Sequence, residues 1–321
     1  MKFRLTDEQR AFAEALDALL AAADVPRVTR RWADGDIADG VSLWERLAAL
    51  GVTALGIPEE HGGLGGTPLD VTVALERLGY HGAPGPWVES VALAPALLVE
   101  ADPDVLPELA KGTARVTGAA LPWAPYALDA DTTTHAYLLS DGVLHRARAD
   151  RSLRSLDPAR KLNQLVATDR IGVPGAWAAD HAALGTAAWL VGAGQRLLDE
   201  TVTYVVARRQ FGRPIGEYQA VKHALADVRV GLDFARPLVV GAARALGSVP
   251  QDAASEVSAA KVLAGNAAHR AARTALQLHG AIGYTREFDL SLLILRVRAL
   301  LGAWGTPAFH RARIATALKG V

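Results

Sequence analysis

Two long helical patterns meet at the sequence Arg208-Arg209-Gln210-Phe211-Gly212-Arg213-Pro214-Ile215-Gly216. Glycine and proline interrupt helices, so this stretch predicts a turn between the two helices. Its arginines flank an aromatic residue, Phe211. A guanidinium group grips phosphate in a planar fork and an aromatic ring stacks on a flat ring, so the pair would suit a nucleotide. The residues alone leave an alternative open, a basic helix end that complements its own dipole.

The C-terminal half of the chain has the pattern of a helical bundle. Periodic apolar residues predict helices over residues 178–207, 218–246, 253–278 and 289–318. Long helices joined by short connections form up-and-down bundles. Asp252 and Ser255 supply a start signal for the third helix, and Gly280 follows its end.

The N-terminal part is also helical. Thr6 and Gln9 form a capping-box pattern, so a first helix is expected over residues 7–23, with others over 41–50 and 69–78. The glycine-rich stretch 56–66 could cradle a phosphate. No Lys-Ser/Thr pair follows it, which favours a tight connector instead.

A short middle region has strand patterns. Strands are expected over residues 115–121, 136–139 and 165–167, with Asp141-Gly142 as a hairpin turn. The sequence therefore predicts a mostly α protein with three parts. These are an N-terminal helical domain (1–113), a small β domain (114–173) and a C-terminal four-helix bundle (174–321).

Composition excludes several functional classes. The chain has 321 residues and balances 34 Lys and Arg against 34 Asp and Glu, which argues against a nucleic-acid partner. It has no cysteine, which excludes disulfides and thiolate metal sites, and we expect no metal site. Neither a signal-peptide pattern at residues 1–9 nor a membrane-length apolar run is present, so we expect a cytoplasmic protein.

Two sequence blocks resemble the acyl-CoA dehydrogenases, flavoenzymes that desaturate acyl-CoA thioesters. Arg208-x-x-Phe211-Gly212 resembles the family's Arg-x-x-Phe-Gly signature. The block 277–287 is similar to its Gln-x-x-Gly-Gly-x-Gly-Tyr-x-x-Glu pattern, and stretch 56–66 resembles its N-terminal connector loop. The resemblance spans nearly the whole chain and implies the family's fold and FAD as cofactor. In that family the positions of Arg208, Phe211, Gln277, Gly280 and Ala281 reach across a subunit interface to the ADP half of a neighbour's FAD.

The chain departs from the family at the catalytic base. Most members carry a glutamate in a Tyr-Glu-Gly-Thr motif, and the matching residues here are Ala303-Trp304-Gly305-Thr306. The indole of Trp304 cannot accept a proton, so no catalytic residue is expected in this chain. A minority of members place the base on the first bundle helix, where this chain has Ala182. Asp180 and His181 are nearby, although ordinary helix-start residues are the favoured interpretation of both.

The β domain lacks part of the segment that lies beside the flavin ring in the family. Its Thr-Glu-Pro-x-Ala-Gly-Ser-Asp stretch is replaced by residues 120–129, without the Gly-Ser-Asp part. Trp123 and Tyr126 could stack on a ring, but a filled, vestigial pocket is the simpler interpretation. Ser140-Asp141-Gly142 stands as a remnant of the family's later Asn-Gly-x-Lys pattern.

These losses together predict a subunit that serves a neighbour. We expect the non-catalytic subunit of a heteromeric, FAD-dependent acyl-CoA dehydrogenase, an α2β2 assembly with a homologous catalytic chain. That partner would bind most of the acyl-CoA substrate, expected to be a steroid side-chain CoA thioester by resemblance to heteromeric actinobacterial members. The alternatives are a non-enzymatic scaffold with this fold and an active flavoenzyme that uses Asp180 or another group as base.

Overall fold

The fold places helices before and after one small sheet, in a computed structural model that describes residues 4–175 and 177–319. The helices that precede the sheet are α1 (Asp7–Ala21), α2 (Val25–Ala33), α3 (Ala38–Ala49), α4 (Pro68–His81), α5 (Ala94–Ala101) and α6 (Leu106–Ala110). Those that follow it are α7 (Ala178–Ala207), α8 (Gln219–Ser248), α9 (Ala254–His279), α10 (Leu290–Leu300) and α11 (Pro307–Lys319). A π-helical turn, Val88–Leu93, leads into α5.

Capping boxes fix the starts of two N-terminal helices. At α1 the Thr6 amide donates to Gln9 Oε1 (3.0 Å) and the Gln9 amide donates to Thr6 Oγ1 (3.2 Å), which confirms the predicted start. α4 has the same arrangement between Thr67 and Asp70. The Gln9 side-chain amide also donates to Asp70 Oδ1 (2.8 Å), so the two caps are joined.

The glycine-rich stretch 56–66 is a connector. The amides of Leu64, Gly65 and Gly66 donate to backbone carbonyls of residues 54, 57 and 55, at 2.7–2.9 Å. Because these amides are satisfied within the loop, they are not available to a phosphate. The connector interpretation is therefore the one that the structure supports.

The sheet has the order β1-β3-β4-β5-β2. Its strands are β1 (Val116–Ala120), β2 (Ala127–Leu128), β3 (His135–Ser140), β4 (Val143–Leu153) and β5 (Leu162–Gly172). β1 pairs with β3 in parallel, and the other pairs are antiparallel. Asp141 and Gly142 both have positive φ and join β3 to β4, as the hairpin pattern predicts. β4 was not predicted, because six of its eleven residues are exposed and four of these six are charged.

The core runs from the N-terminal helices into the bundle. α7 is buried along most of its length and packs against α4, α8 and α9. The approach of α4 and α7 requires small residues. A Cβ at Gly192 would lie 1.9 Å from the Glu76 carbonyl oxygen, and one at Gly79 would lie 2.2 Å from that of Trp189. No helix within the described ranges is long and apolar enough to cross a membrane.

The prediction of one continuous helix over residues 289–318 is wrong. The chain breaks between α10 and α11, at a turn in which Trp304 (φ 51°) and Gly305 (φ 101°) adopt left-handed conformations. The start signal expected for α9 is also not used. α9 begins at Ala254 without a side-chain capping bond, and the Ser255 hydroxyl donates to Glu256 instead.

Candidate functional site

A two-strand hairpin follows α7 and carries the first block of candidate residues. Arg208 leaves the helix in extended conformation (φ −73°, ψ 120°), and residues 209–210 then pair with residues 213–214. Phe211 (φ 51°) and Gly212 (φ 83°) form the turn. The Phe211 side chain is 93% exposed. A left-handed conformation is unfavourable for a bulky residue, so this exposed ring is held in a strained position.

The hairpin is an unneutralised cationic surface. The side chains of Arg208 and Arg209 form no hydrogen bond or ion pair with any residue that the structure describes. The Arg213 guanidinium lies 4.1 Å from the centre of the Tyr218 ring, which holds it beside the hairpin. Guanidinium groups without acidic partners remain available to an anion.

The second block, at the end of α9, lies beside the first. His279 stacks on Tyr204, one turn before Arg208, with ring centroids 4.1 Å apart. Gly280 (φ 64°) then turns the chain into a short 3₁₀ helix, Gly280–Tyr284. Gln277, Gly280 and Ala281 lie at this end of α9, and all three are exposed. The structure therefore brings the two predicted blocks to the same end of the bundle.

These residues fit an ADP group in kind. Arg208 offers a fork for a pyrophosphate, and Phe211 offers a ring face for a base. A Cβ added at Gly212 or at Gly280 would meet no atom within 4 Å, so both backbones are open to an approaching ligand. The residues form an exposed surface and not a cleft, so another molecule must supply the remaining walls of any site here.

The loop between α10 and α11 holds Trp304, the residue that the sequence motif predicts in place of a catalytic base. Its indole is 4% exposed, and Nε1 donates to Glu89 Oε1 (3.0 Å). His310 Nε2 donates to the Trp304 carbonyl oxygen (3.0 Å). The ring is thus a hydrogen-bond donor in a fixed position and has no proton-accepting atom.

A buried lysine on α9 holds the same loop by hydrogen bonds to its backbone. Lys261 Nζ donates to the carbonyl oxygens of Leu300 and Leu301 (3.3 Å each) and of Gly305 (3.5 Å). Burial lowers the pKa of this amine to about 7. The sequence pattern did not identify Lys261; its only signal is a lysine on the apolar face of a helix.

Aromatic packing fills the space on one side of Trp304. Trp123 stacks on Phe309, with centroids 5.1 Å apart and planes 7° apart, and meets Trp304 edge-on at 6.1 Å. Protein contacts therefore occupy this side of the indole. Tyr126, the other candidate for stacking, is instead 43% exposed.

Asp180 and His181 are both unsuited to proton abstraction. Asp180 is buried and accepts two hydrogen bonds from Arg313, at 2.6 and 3.0 Å. Both carboxylate oxygens are therefore occupied by a guanidinium and are not directed at a substrate. Burial lowers the pKa of His181 to about 4, so its neutral ring is a poor proton acceptor at pH 7. Among the described ranges, no three acidic or histidine side chains gather in a way that could hold a metal ion.

Comparisons with known proteins agree with this architecture. Residues 6–113 match a model for the acyl-CoA dehydrogenase N-terminal domain, and residues 176–319 match one for the acyl-CoA dehydrogenase C-terminal domain. The chain is 35% identical to acyl-CoA dehydrogenase IpdE2 of Mycobacterium tuberculosis over 296 residues, which cover 90% of this chain and 91% of that protein.

Two solved structures whose names each join two proteins share the fold. The ChsE4-ChsE5 complex of Mycobacterium tuberculosis superposes with a TM-score of 0.86 at 22% identity, covering 100% of both chains. A variant of the Tcur3481-Tcur3483 steroid ACAD superposes with a TM-score of 0.86 at 21% identity, covering 98% of both chains.

Proposed function

This chain belongs to the acyl-CoA dehydrogenase family, and from that premise we propose that it is the non-catalytic subunit of a heteromeric acyl-CoA dehydrogenase. As a member of this family it is an oxidoreductase subunit, and its partner is a homologous chain that carries the catalytic glutamate. The two assemble as an α2β2 complex in the cytoplasm. The complex desaturates an acyl-CoA thioester between its α and β carbons.

The observation that carries this proposal is that Trp304 is a fixed hydrogen-bond donor with no proton-accepting atom. The family's base position holds an indole that donates to Glu89 and is fixed by His310. General-base catalysis needs a group that accepts a proton within hydrogen-bond reach of the substrate. No such group stands in this loop, because its other members are leucine, glycine, alanine and threonine.

The FAD site supports the same division of labour. The family fold binds FAD, which accepts a hydride from the substrate when bound. In this chain Arg208 would grip the pyrophosphate, Phe211 would stack on the adenine, and Gln277 with the backbone of Gly280 and Ala281 would complete the contact. All five positions lie at one end of the bundle. A strained, exposed ring such as Phe211 is typical of a surface that a partner covers.

The partner arrangement follows from the openness of this surface. It has cationic and aromatic groups but no opposing wall, so the isoalloxazine half of the cofactor needs a second chain. Fold relatives named as two-component complexes, ChsE4-ChsE5 and Tcur3481-Tcur3483, support a heteromer of homologous chains. The division of this chain into 1–113, 114–173 and 174–321 belongs to the same proposal.

We infer a steroid side-chain CoA thioester as the substrate class. The support is the likeness to Tcur3481-Tcur3483, which is named a steroid ACAD. One catalytic site per pair of chains also leaves room for a bulky ring system. A panel of steroid and straight-chain acyl-CoA thioesters, assayed on the complex, tests this, and a preference for short linear chains would contradict it.

Separate and joint expression tests the subunit role. The chain is purified alone and together with the homologous chain encoded beside it, and flavin absorbance and dehydrogenase turnover are measured for both. We expect a yellow, active complex and a lone chain with no turnover. Full flavin loading and turnover by the lone chain would overturn the proposal. A colourless homo-oligomer that never joins a second chain would instead indicate a non-enzymatic scaffold.

A further inference from the structure

A cavity of about 380 Å³ lies beside the loop between α10 and α11. Its lining includes Glu89 of the π-helical turn, Trp304, Tyr126 and Arg160. Pockets for small molecules occupy about 300–1,000 Å³, so this cavity can hold a compact organic ligand. It is separate from the exposed surface of Arg208 and Gln277.

Glu89 gives the cavity a buried acceptor. The residue is 3% exposed, and its Oε1 accepts the hydrogen bond from Trp304 Nε1. The second carboxylate oxygen, Oε2, is buried and has no hydrogen-bond partner. Buried carboxylate oxygens are nearly always satisfied, because they lose hydration on burial. An unsatisfied buried oxygen on a residue that lines a cavity therefore indicates a donor that comes from a ligand.

Arg160 gives the same cavity an unpaired cation. Its guanidinium forms no hydrogen bond or ion pair with any described residue, and the nearby Asp157 is bound by Arg296. Burial lowers the pKa of Arg160, and the negative charge of Glu89 opposes that effect. Arg160 and Glu89 both line the cavity and no hydrogen bond joins them, so both are available to a molecule bound there.

We propose that this cavity binds a small organic carboxylate that also carries a hydroxyl group. The carboxylate would occupy the fork of Arg160, since guanidinium binds carboxylate with two parallel hydrogen bonds. The hydroxyl would donate to Glu89 Oε2, and the carbon skeleton would lie against Trp304. This site is formed by residues of this chain alone. The proposal goes beyond the contact with FAD and does not depend on that contact.

The hydroxyl donor distinguishes this class from other anions. Arg154 and Arg298 also line the cavity, so its charge attracts anions in general, and only Glu89 opposes a second negative charge. A carboxylate without a hydroxyl would leave Oε2 without a donor, and an ester would leave Arg160 without an anion. The hydroxyl and the carboxylate are therefore both required for full affinity.

Calorimetric titration of the full chain tests the assignment. The probes are the 2-, 3- and 4-hydroxycyclohexanecarboxylates, cyclohexanecarboxylate, the methyl ester of the best-binding isomer, and inorganic phosphate. We expect at least one hydroxy acid to bind more tightly than cyclohexanecarboxylate, with no binding of the ester. Arg160→Gln should weaken that binding by about tenfold or more, as for a charged hydrogen bond. Glu89→Gln, which keeps an acceptor for Trp304, should abolish the advantage of the hydroxyl group.

Controls separate the cavity from general effects of charge. Arg148→Gln removes an exposed arginine elsewhere on the sheet and should leave binding unchanged. Arg160→Lys keeps the charge without the fork, so it should bind more weakly than the wild type even if Arg160→Gln fails to fold. The proposal is overturned if no hydroxy acid binds, or if Arg160→Lys binds the acid as tightly as the wild type does. It is also overturned if phosphate binds as tightly as the best hydroxy acid, or if lumiflavin displaces that acid from the chain.

Discussion

Replacing Arg208 with alanine is the sharpest local test of the FAD contact. The Arg208 side chain is exposed and has no partner among the described residues. Its contact with the hairpin is made by the backbone, because the Arg208 carbonyl oxygen accepts a hydrogen bond from the Ile215 amide (2.8 Å). The hairpin therefore keeps its geometry in Arg208→Ala. A charged hydrogen bond to phosphate contributes about 1.5–3 kcal/mol. Its loss should weaken FAD retention by about ten- to a hundredfold, at about 1.4 kcal/mol per factor of ten.

The assay measures flavin absorbance per complex after equilibration at graded FAD concentrations. Arg208→Lys should recover part of the affinity, because lysine keeps the charge and loses the fork. Arg148→Ala, an exposed arginine on β4, serves as the matched control and should retain full flavin. The melting temperature of the lone Arg208→Ala chain should not change, since exposed substitutions shift stability by about 0.5 kcal/mol or less.

Two results would refute this reasoning. Unchanged flavin affinity in Arg208→Ala would remove the residue from the site. A lowered melting temperature with unchanged flavin would mean that Arg208 only complements the dipole of its own helix.

Three further predictions concern the interior of the chain. Burial lowers the pKa of His310 to about 4, and an unfolded chain binds this proton near pH 6.5; the free energy of unfolding should therefore fall as pH drops from about 6.5 to about 4, by about 1.4 kcal/mol per pH unit. Denaturant titrations at several pH values should show a flatter dependence in His310→Asn, and parallel curves would contradict this. Arg313→Gln strands the buried Asp180 and should destabilise the chain by about 3–5 kcal/mol; Asp180→Asn in addition should restore part of that, and an additive double variant would exclude the pairing. Trp304→Phe removes the donor to Glu89 and should cost about 1–3 kcal/mol while the turnover of the folded complex stays unchanged, so a matching loss of turnover would give this indole a role in the reaction.

Local chemistry explains why much of the fold could be predicted. The capping box at Thr6 uses only neighbouring residues, and the Asp141-Gly142 turn needs positive φ that these residue types tolerate. The break after α7 follows from glycine and proline in the same way. Motifs that join two helices therefore located the candidate surface before any tertiary contact was known.

Features that depend on tertiary contacts could not be predicted. β4 is an exposed, charged strand whose pairing with β5, and not its periodicity, makes it a strand. The break between α10 and α11 is held by Lys261, which is distant in sequence. Glu89 lies in an apolar run that is typical of core, and only its orphaned oxygen and the facing Arg160 identify a cavity.

Dehydrogenase turnover by a complex with an altered partner tests the central claim most directly. In this complex the partner's catalytic glutamate is replaced by glutamine while the present chain is left intact. If this chain contributes no base, the rate should fall by about 10²–10⁴-fold, the usual contribution of a general base. Retention of about half of the wild-type rate would mean that each chain carries its own catalytic group, and it would contradict the account.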